Sequence, residues 1–241
     1  MIMTEEEKTM TAYHEAGHAI VGLEVLDGSP LHKVTIIPRG QALGVTFFLE
    51  DDRHSHSKQH YEGMIAKAYG GRIAEELIYG PAKVTDGASQ DIKMATSVAR
   101  QMVTKLGMSD TLGPLSYGED EQEVFLGHSV TQHKNISDAT ARLIDEEVRV
   151  IVDRAYGQAK NILVEKLDRL HAMAAALIKF ETIDADQVGD IMAGKSPRVP
   201  KDWTGDAQPP KSGGGEVPVA SADEDDSKPA GGPIGGPAGE H

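Results

Sequence analysis

The sequence predicts a mainly α-helical domain with a small β-hairpin, followed by a tail that does not fold. Most of the first 195 residues place apolar side chains at helical spacing, whereas only two short runs, 32–37 and 43–49, have the character of strands. From Ser196 onward, proline, glycine and acidic residues dominate, and such a segment cannot bury enough apolar surface to become ordered. We therefore expect one domain of residues 1–195 and a disordered tail of residues 196–241.

The composition limits what the chain can bind. A formal net charge of −14 argues against a protein that binds nucleic acid or an anionic membrane. No apolar run approaches the roughly 20 residues needed to cross a bilayer, and the acidic N-terminus is unlike a signal peptide. Because the chain contains no cysteine, any tightly bound metal must be held by histidine and carboxylate, which suits a catalytic zinc better than a structural one.

The first helix carries a candidate metal site. Thr4 begins a capping-box pattern, and the helix is predicted to continue to about Leu26. His14 and His18 are four residues apart, so they lie one turn apart on one face and can both reach one small cation. Glu15 projects beside that point, where it could take a proton from an attacking water. The alternative is a helix that carries two histidines and no metal.

The two strand-like runs form the predicted hairpin. In the second run, Val45 and Phe47 alternate with Thr46, which is the period of a half-buried strand. A sheet this short must end in an edge near the first helix, and an edge strand offers unpaired backbone groups to an extended peptide. The alternative is a hairpin that only covers the core.

The second predicted helix, 57–79, contains a glycine pair at its middle. Gly70-Gly71 costs roughly 1 kcal/mol per residue relative to alanine, so we expect another helix to cross there closely. The first helix is the expected partner, because its Ala16-Gly17 pair is equally small. Glu75 and Glu76 follow, and either could be a metal ligand or support one.

A third helix is predicted from about residue 85 to Leu106. Asp91 shares a face with Ala95 and Met102, so this carboxylate lies on the buried stripe of the helix. A buried carboxylate needs a partner. A zinc ion would be a strong partner; a helix cap or a salt bridge is the alternative.

The rest of the chain carries no chemistry that the sequence identifies. Residues 107–134 are predicted to be loops. A long helix is predicted from Ser137 to about Lys179, broken or bent near Gly157, and a short last helix begins after Asp184. The histidines of the polar segment after the hairpin are expected to lie in a solvated loop rather than in a second metal site: His54, His56 and His60.

Five sequence blocks together resemble the peptidase domain of the FtsH family, the ATP-dependent membrane-bound zinc metalloproteases. The whole match covers about residues 4–195, and the blocks occur in the family's order: Tyr13-His-Glu-Ala-Gly-His-Ala19, Ala42-Leu-Gly-Val-Thr46, Gly70-Gly-Arg-Ile-Ala-Glu-Glu-Leu77, Gly87-Ala-Ser-Gln-Asp91 and Met108–Tyr117. In combination these blocks are far more specific than the first one alone. The resemblance implies a mostly helical zinc endopeptidase domain with a substrate-aligning edge strand.

The resemblance also implies roles for individual residues. His14 and His18 correspond to zinc ligands, Glu15 to the general base, and Asp91 to the third ligand. Glu76 corresponds to a glutamate that supports the ligands, and it is the second choice for the third ligand. The predicted edge strand that binds substrate comprises four residues: Gly44, Val45, Thr46 and Phe47.

The family further implies a homo-hexamer below an AAA+ ATPase ring that delivers unfolded or membrane proteins. A full-length member lies at the cytoplasmic face of a bacterial inner membrane, and this chain alone is expected to be soluble and cytoplasmic. The family's membrane segments and ATPase domain have no counterpart in these 241 residues, which implies an isolated domain or a natural stand-alone piece. Two alternatives differ in class: a ring-assembly or adaptor module that keeps the fold without proteolysis, and a zinc hydrolase of small substrates.

Overall fold

Six helices and one small antiparallel sheet make up the described part of the chain. The computed structural model describes residues 3–26, 29–38, 40, 42–49, 55–117 and 136–200. The helices are α1 (Glu5–Val25), α2 (Lys58–Tyr79), α3 (Ser89–Thr104), α4 (Asp138–Glu165), α5 (Leu167–Phe180) and α6 (Ala185–Met192). The strands are β1 (Leu31–Thr35), β2 (Val45–Phe48) and β3 (Thr182–Asp184). The predicted mainly α-helical fold class is thus confirmed.

Helix α1 lies at the centre of this fold. Thr4 caps it as the sequence predicts: its Oγ1 accepts the Glu7 N–H at 3.2 Å, and its own N–H donates to Glu7 Oε2 at 2.8 Å. Toward its C-terminal end the helix is buried on nearly every side, because α2, α5 and the sheet all pack against it. Small residues such as Ala16 and Ala19 allow these neighbours to approach closely.

Glycines set the distance between α1 and α2. The two helices cross where Gly17 meets Gly70: a Cβ atom on Gly17 would lie 2.2 Å from the Gly70 carbonyl oxygen, and one on Gly70 would lie 2.5 Å from that of Gly17. Since real Cβ contacts never approach this distance, neither position tolerates a side chain. The close crossing predicted from the Gly70-Gly71 pair is present, and it brings α2 against the face of α1 that carries the histidines.

The sheet has the strand order β2-β1-β3, and both pairs are antiparallel. The two predicted strands are present but shorter than expected, and β3 was not predicted. This third strand has only three residues, and its last one, Asp184, also caps α6 by accepting the Gln187 N–H at 2.9 Å. Within the described residues, β2 pairs only with β1 and so leaves one side of the sheet as an edge.

The helix is not broken at Gly157, where the sequence predicted a break or a bend. Gly157 lies inside α4, and the helix ends instead at Glu165, where Lys166 leaves the helical conformation and separates α4 from α5. Buried Ile151, Ala155 and Ala159 hold α4 in the core on both sides of the glycine. This packing outweighs the roughly 1 kcal/mol by which a glycine destabilises a helix.

Two features concern the end of the described chain. Arg198 contacts α6, with its Nε 2.8 Å from Asp190 Oδ2, so residues beyond the predicted boundary at 195 still pack on this helix. The predicted tail otherwise lies outside the described residues.

Residues 189–196 have the sequence pattern of a phosphate-binding loop, but they form the C-terminal end of α6 and the turn after it. There carbonyl groups rather than N–H groups are left over, so these residues do not form such a loop.

None of the described helices is both long and apolar enough to cross a bilayer.

Candidate metal centre

Three ligand atoms converge between α1 and α3. His14 Nε2 and His18 Nε2 are 3.0 Å apart, and Asp91 Oδ2 lies 3.5 Å from the first and 3.4 Å from the second. A tetrahedral zinc ion with bonds of roughly 2.0–2.2 Å would separate its ligand atoms by roughly 3.3–3.6 Å. Both distances to Asp91 fall in this range, and the two histidine nitrogens are about 0.3 Å closer than its lower end. With a small separation of the two rings, the three atoms take three corners of a zinc site and leave a fourth corner open. This is the one such group of three within the described part of the chain.

The two imidazole rings are oriented by bonds on their far sides. His14 Nδ1 lies 2.8 Å from Glu75 Oε1, and His18 Nδ1 lies 2.8 Å from the Lys67 carbonyl oxygen. Since both partners are acceptors, each Nδ1 carries the proton and each Nε2 presents a lone pair to the other. Histidine ligands of metals are held by such outer bonds. Three electron-pair donors facing one point require a cation or a proton between them.

Electrostatics at the triad favour a positive charge. Burial lowers the pKa of His14, but its hydrogen bonds to Asp91 and Glu75 outweigh burial and raise the pKa to about 9. Burial raises the pKa of Asp91, yet its bonds to His14 and His18 bring the pKa well below its usual range. The site thus takes up a proton where a metal cation would bind, and these donors match the histidine and carboxylate set that zinc accepts.

Glu75 supports His14, and Glu76 does not. The Glu75 carboxylate is 2% exposed, and it also accepts the Thr85 backbone N–H at 2.7 Å. Burial raises the pKa of Glu75, but the bonds from His14 and Thr85 lower it overall. Glu76 points the other way, to the Tyr156 hydroxyl. The sequence placed Glu76 in this supporting role, and that assignment is corrected to Glu75, because neighbouring helix residues point about 100° apart.

The Glu76 contact belongs to the packing of α2 on α4. Burial and the bond to Glu76 raise the pKa of the Tyr156 hydroxyl to about 12. Lys160 Nζ lies 3.8 Å from the same carboxylate. Glu76 is therefore held by α4, on the side of α2 away from the triad.

Glu15 lies beside the triad and is held by the edge strand. Thr46 Oγ1 donates to Glu15 Oε2 at 2.6 Å and lies 3.0 Å from the Glu15 carbonyl oxygen. Gly44 leaves room for the same side chain, since a Cβ on Gly44 would lie 2.8 Å from Glu15 Oε1. Glu15 is 7% exposed, so its carboxylate is fixed rather than free to rotate in solvent. The sequence did not predict this link between the strand and the base.

Gly71 gives His14 its place. A Cβ atom on Gly71 would lie 2.5 Å from both Cε1 and Nε2 of the His14 ring. Lys67, Gly71 and Glu75 follow one another at intervals of four, so they share the face of α2 that meets the histidines. This spacing was the sequence signal that could have selected Glu75 over Glu76.

A cleft of about 680 Å³ opens over the triad and Glu15. Three of the four residues predicted to bind substrate line it, namely Gly44, Val45 and Thr46. Phe47 does not: it is 46% exposed on the other face of the strand, where its ring centroid lies 5.7 Å from that of His32. The edge strand and the triad therefore share one cleft, as an extended peptide that is cut there would require.

The histidines after the hairpin do not join this site. His54 lies outside the described residues. His56 and His60 stack with ring centroids 4.2 Å apart, and they belong to no group of three candidate ligands within the described chain.

Comparison with known proteins identifies similar sequences along most of the chain. Residues 1–191 match peptidase family M41. Similar curated proteins share the name ATP-dependent zinc metalloprotease FtsH. The protein of Photobacterium profundum is 58% identical over 205 residues, which are 84% of this chain and 30% of the relative. That of Buchnera aphidicola subsp. Acyrthosiphon pisum is 57% identical over 204 residues, 84% of this chain and 33% of the relative.

A more distant relative gives the same coverage. The protein of that name from Haemophilus influenzae is 54% identical over 204 residues, which are 84% of this chain and 32% of the relative. The chain thus spans about a third of the length of the curated relatives that it matches.

Proposed function

This chain belongs to peptidase family M41, and on that premise we propose that it is a zinc-dependent endopeptidase. His14, His18 and Asp91 hold the zinc ion, and Glu15 is the general base. The observation that carries the proposal is the convergence of three ligand atoms next to a fixed, buried carboxylate in one cleft. The names of the relatives, which specify a zinc metalloprotease, support the same assignment.

Different residues of the chain have different roles in the reaction. Zinc, when bound, acts as a Lewis acid that polarises the scissile carbonyl and makes water easier to deprotonate. Glu15 takes the proton of the attacking water and passes it to the leaving amine, as a general base and then a general acid. Thr46 holds the Glu15 carboxylate in one orientation through its 2.6 Å hydrogen bond. Glu75 and the Lys67 carbonyl keep both imidazoles in the tautomer that presents Nε2.

The edge strand aligns the substrate. A segment that pairs with β2 forms backbone hydrogen bonds whatever its sequence, and this suits a protease that degrades many proteins. The segment must be extended and its carbonyl groups must be accessible, so the substrates are unfolded proteins or unfolded parts of proteins. A hydrolase of small substrates would not use such an edge.

In a longer chain this domain acts together with an ATPase. The relatives are named ATP-dependent, and they are about three times as long as the part that matches. We infer that an AAA+ domain of such a protein unfolds substrates, including membrane proteins, and delivers them to a homo-hexamer at the cytoplasmic face of a bacterial inner membrane. An adaptor module without proteolysis would not need Glu15, His14, His18 and Asp91 to be intact together.

The test compares wild type with Glu15→Gln, which keeps the shape of the side chain and removes the base. Both proteins are loaded with zinc and incubated with an unfolded protein, and the new amino termini are counted. We expect cleavage to fall by roughly 100-fold or more in Glu15→Gln, the scale of general-base catalysis. Glu6→Gln, the same change at an exposed position of α1, is the matched control and should behave like wild type. Equal cleavage by zinc-loaded Glu15→Gln and wild type would refute the proposal.

A further inference from the structure

One cation lies in a cleft that is otherwise acidic. Lys67 is the single lysine or arginine among the described residues that line the cleft over the triad, whereas five lining residues carry carboxylates: Glu7, Glu15, Glu75, Asp86 and Asp91. The Lys67 side chain is half-buried, and its Nζ lies 4.5 Å from the centroid of the Phe48 ring. Among the described residues, no carboxylate forms an ion pair with it.

Three of the five carboxylates of the cleft already have other partners. Asp91 faces both histidines, Glu75 bonds to His14 and Thr85, and Glu15 accepts the Thr46 hydroxyl. A metal cation at the triad would also take up the negative charge of Asp91. Burial lowers the pKa of Lys67, whereas the nearby charges of Asp91 and Glu15 favour its ammonium form. Because neither carboxylate is within ion-pair distance, the ammonium group can still donate hydrogen bonds to a further acceptor, at a place where part of its water shell is replaced by an aromatic ring.

Lys67 lies on the side of the cleft where β2 carries Phe48. On β2, Thr46 and Phe48 lie on the same face: Thr46 reaches Glu15, and Phe48 lies against Gly22, two turns further along α1. Two residues of a strand span roughly 7 Å. A peptide that pairs with β2 and presents its scissile bond to Glu15 therefore passes Lys67 about two residues away, on one side only.

We propose that Lys67 forms a subsite for a substrate carboxylate, so that this peptidase prefers an acidic group about two residues from the scissile bond, on the side of Phe48. The inference rests on the proposed function and adds a specificity to it. The carboxylate comes either from an aspartate or glutamate side chain or from the carboxyl terminus of a short peptide. Both offer the same oxygen acceptors to an ammonium group.

The experiment uses peptides with one cleavable bond. An aspartate or its isostere asparagine is placed at each of three positions on either side of that bond, and every peptide is made with a free and with an amidated carboxyl terminus. The quantity measured is the ratio of kcat/KM for the aspartate peptide to kcat/KM for the asparagine peptide. In wild type we expect this ratio to reach about tenfold at one position, the low end for a hydrogen bond between charged groups. If the bound carboxylate is instead the carboxyl terminus of the peptide, the peptides with a free terminus should have the higher kcat/KM.

Variants separate the charge of Lys67 from its packing. Lys67→Met keeps an apolar stem on Phe48, and any substitution keeps the backbone carbonyl that orients His18. The ratio should fall to about one in Lys67→Met and return in Lys67→Arg, the charge-retaining change. Lys93→Met removes a charge from an exposed position of α3 outside the cleft, and it should keep the wild-type ratio. The dissociation constants of the same peptides for Glu15→Gln give a second readout that does not depend on turnover.

The outcomes distinguish this inference from the proposed function. A wild-type protein that cleaves aspartate and asparagine peptides equally, with free and amidated termini alike, contradicts the inference alone. So does a Lys67→Met protein that is zinc-loaded and keeps the wild-type ratio. A zinc-loaded wild type that cleaves none of the peptides contradicts the proposed function itself.

Discussion

Replacing Gly71 with alanine should disable the metal centre while leaving the fold in place. The added Cβ would lie 2.5 Å from His14 Nε2 and 2.6 Å from Cδ2. Ordinary contacts between such atoms are about 3.5–4.0 Å, so the ring must move by about 1 Å or more. Metal sites tolerate ligand displacements of only about 0.2 Å. His14 can rotate away because it is a side chain, but it then leaves Glu75 and the common ligand point.

The expected loss of zinc affinity exceeds the loss caused by removing one supporting hydrogen bond. Loss of an outer hydrogen bond weakens metal binding about 10–100-fold, and Gly71→Ala displaces a ligand itself, so we expect a loss of at least about 100-fold in zinc affinity. Competition with a chromophoric chelator measures that affinity, and circular dichroism measures the fold. Proteolysis should fall in parallel with zinc content.

Two other glycines serve as controls. Gly157 lies inside α4 with nothing within 4 Å of an added Cβ, so Gly157→Ala should keep zinc and stabilise the protein by about 0.5–1 kcal/mol. Gly17→Ala places its Cβ 2.2 Å from a backbone oxygen, which cannot rotate away, and it should destabilise the whole domain. A Gly71→Ala protein with wild-type zinc affinity would refute the reasoning.

Three further predictions concern pH, the base and the substrate. Between pH 6.5 and 9 the metal-free protein should lose on the order of 3 kcal/mol of its free energy of unfolding. The pKa of His14 is about 9 in the folded protein and 6.5 in the unfolded chain, so the stabilising proton leaves as the pH rises. Urea titrations at several pH values measure this loss, and a free energy of unfolding that does not change with pH would contradict it. Thr46→Val removes the hydroxyl that orients Glu15 and should lower kcat about tenfold with zinc retained, the cost of one charge-assisted hydrogen bond. The same change at the half-buried Thr9, which does not line the cleft, is the control, and an unchanged kcat in Thr46→Val would count against the role of Thr46. This 241-residue chain should cleave a destabilised reporter protein but spare the stably folded reporter, with or without ATP. A stability of about 5–15 kcal/mol leaves too little unfolded reporter for the edge strand to bind. ATP-stimulated loss of the folded reporter, followed on gels, would contradict this prediction.

Local geometry explains what could be predicted from the sequence. The spacing of His14 and His18 fixes their common face as soon as the segment is helical, and Thr4 and Glu7 identify where that helix begins. The Gly70-Gly71 pair predicted a close helix crossing because two adjacent glycines destabilise a helix and leave room for a neighbouring backbone. The approach of Asp91 to the histidines was expected from its place on the buried stripe and from the family resemblance, and the structure brings the three side chains together.

Tertiary contacts explain what could not. Glu75 and Glu76 are chemically identical neighbours, and the four-residue spacing from Gly71 selects Glu75 only once the fold shows that Gly71 faces His14. Strand β3 is too short to show the alternation of apolar and polar residues by which a strand is predicted, and it exists because β1 pairs with it. The bond from Thr46 to Glu15 joins residues 31 apart in sequence, and no spacing rule connects them.

The zinc stoichiometry of three proteins tests directly whether His14, His18 and Asp91 hold the metal. Wild type, Asp91→Ala and Glu76→Ala are loaded with zinc, dialysed against a weak chelator and analysed for metal, with circular dichroism confirming that each remains folded. Because Asp91 Oδ2 lies within 3.5 Å of both imidazole nitrogens and Glu76 is held by Tyr156, we expect one zinc per chain in wild type and in Glu76→Ala, and little in Asp91→Ala. Zinc retained by Asp91→Ala and lost by Glu76→Ala would contradict it.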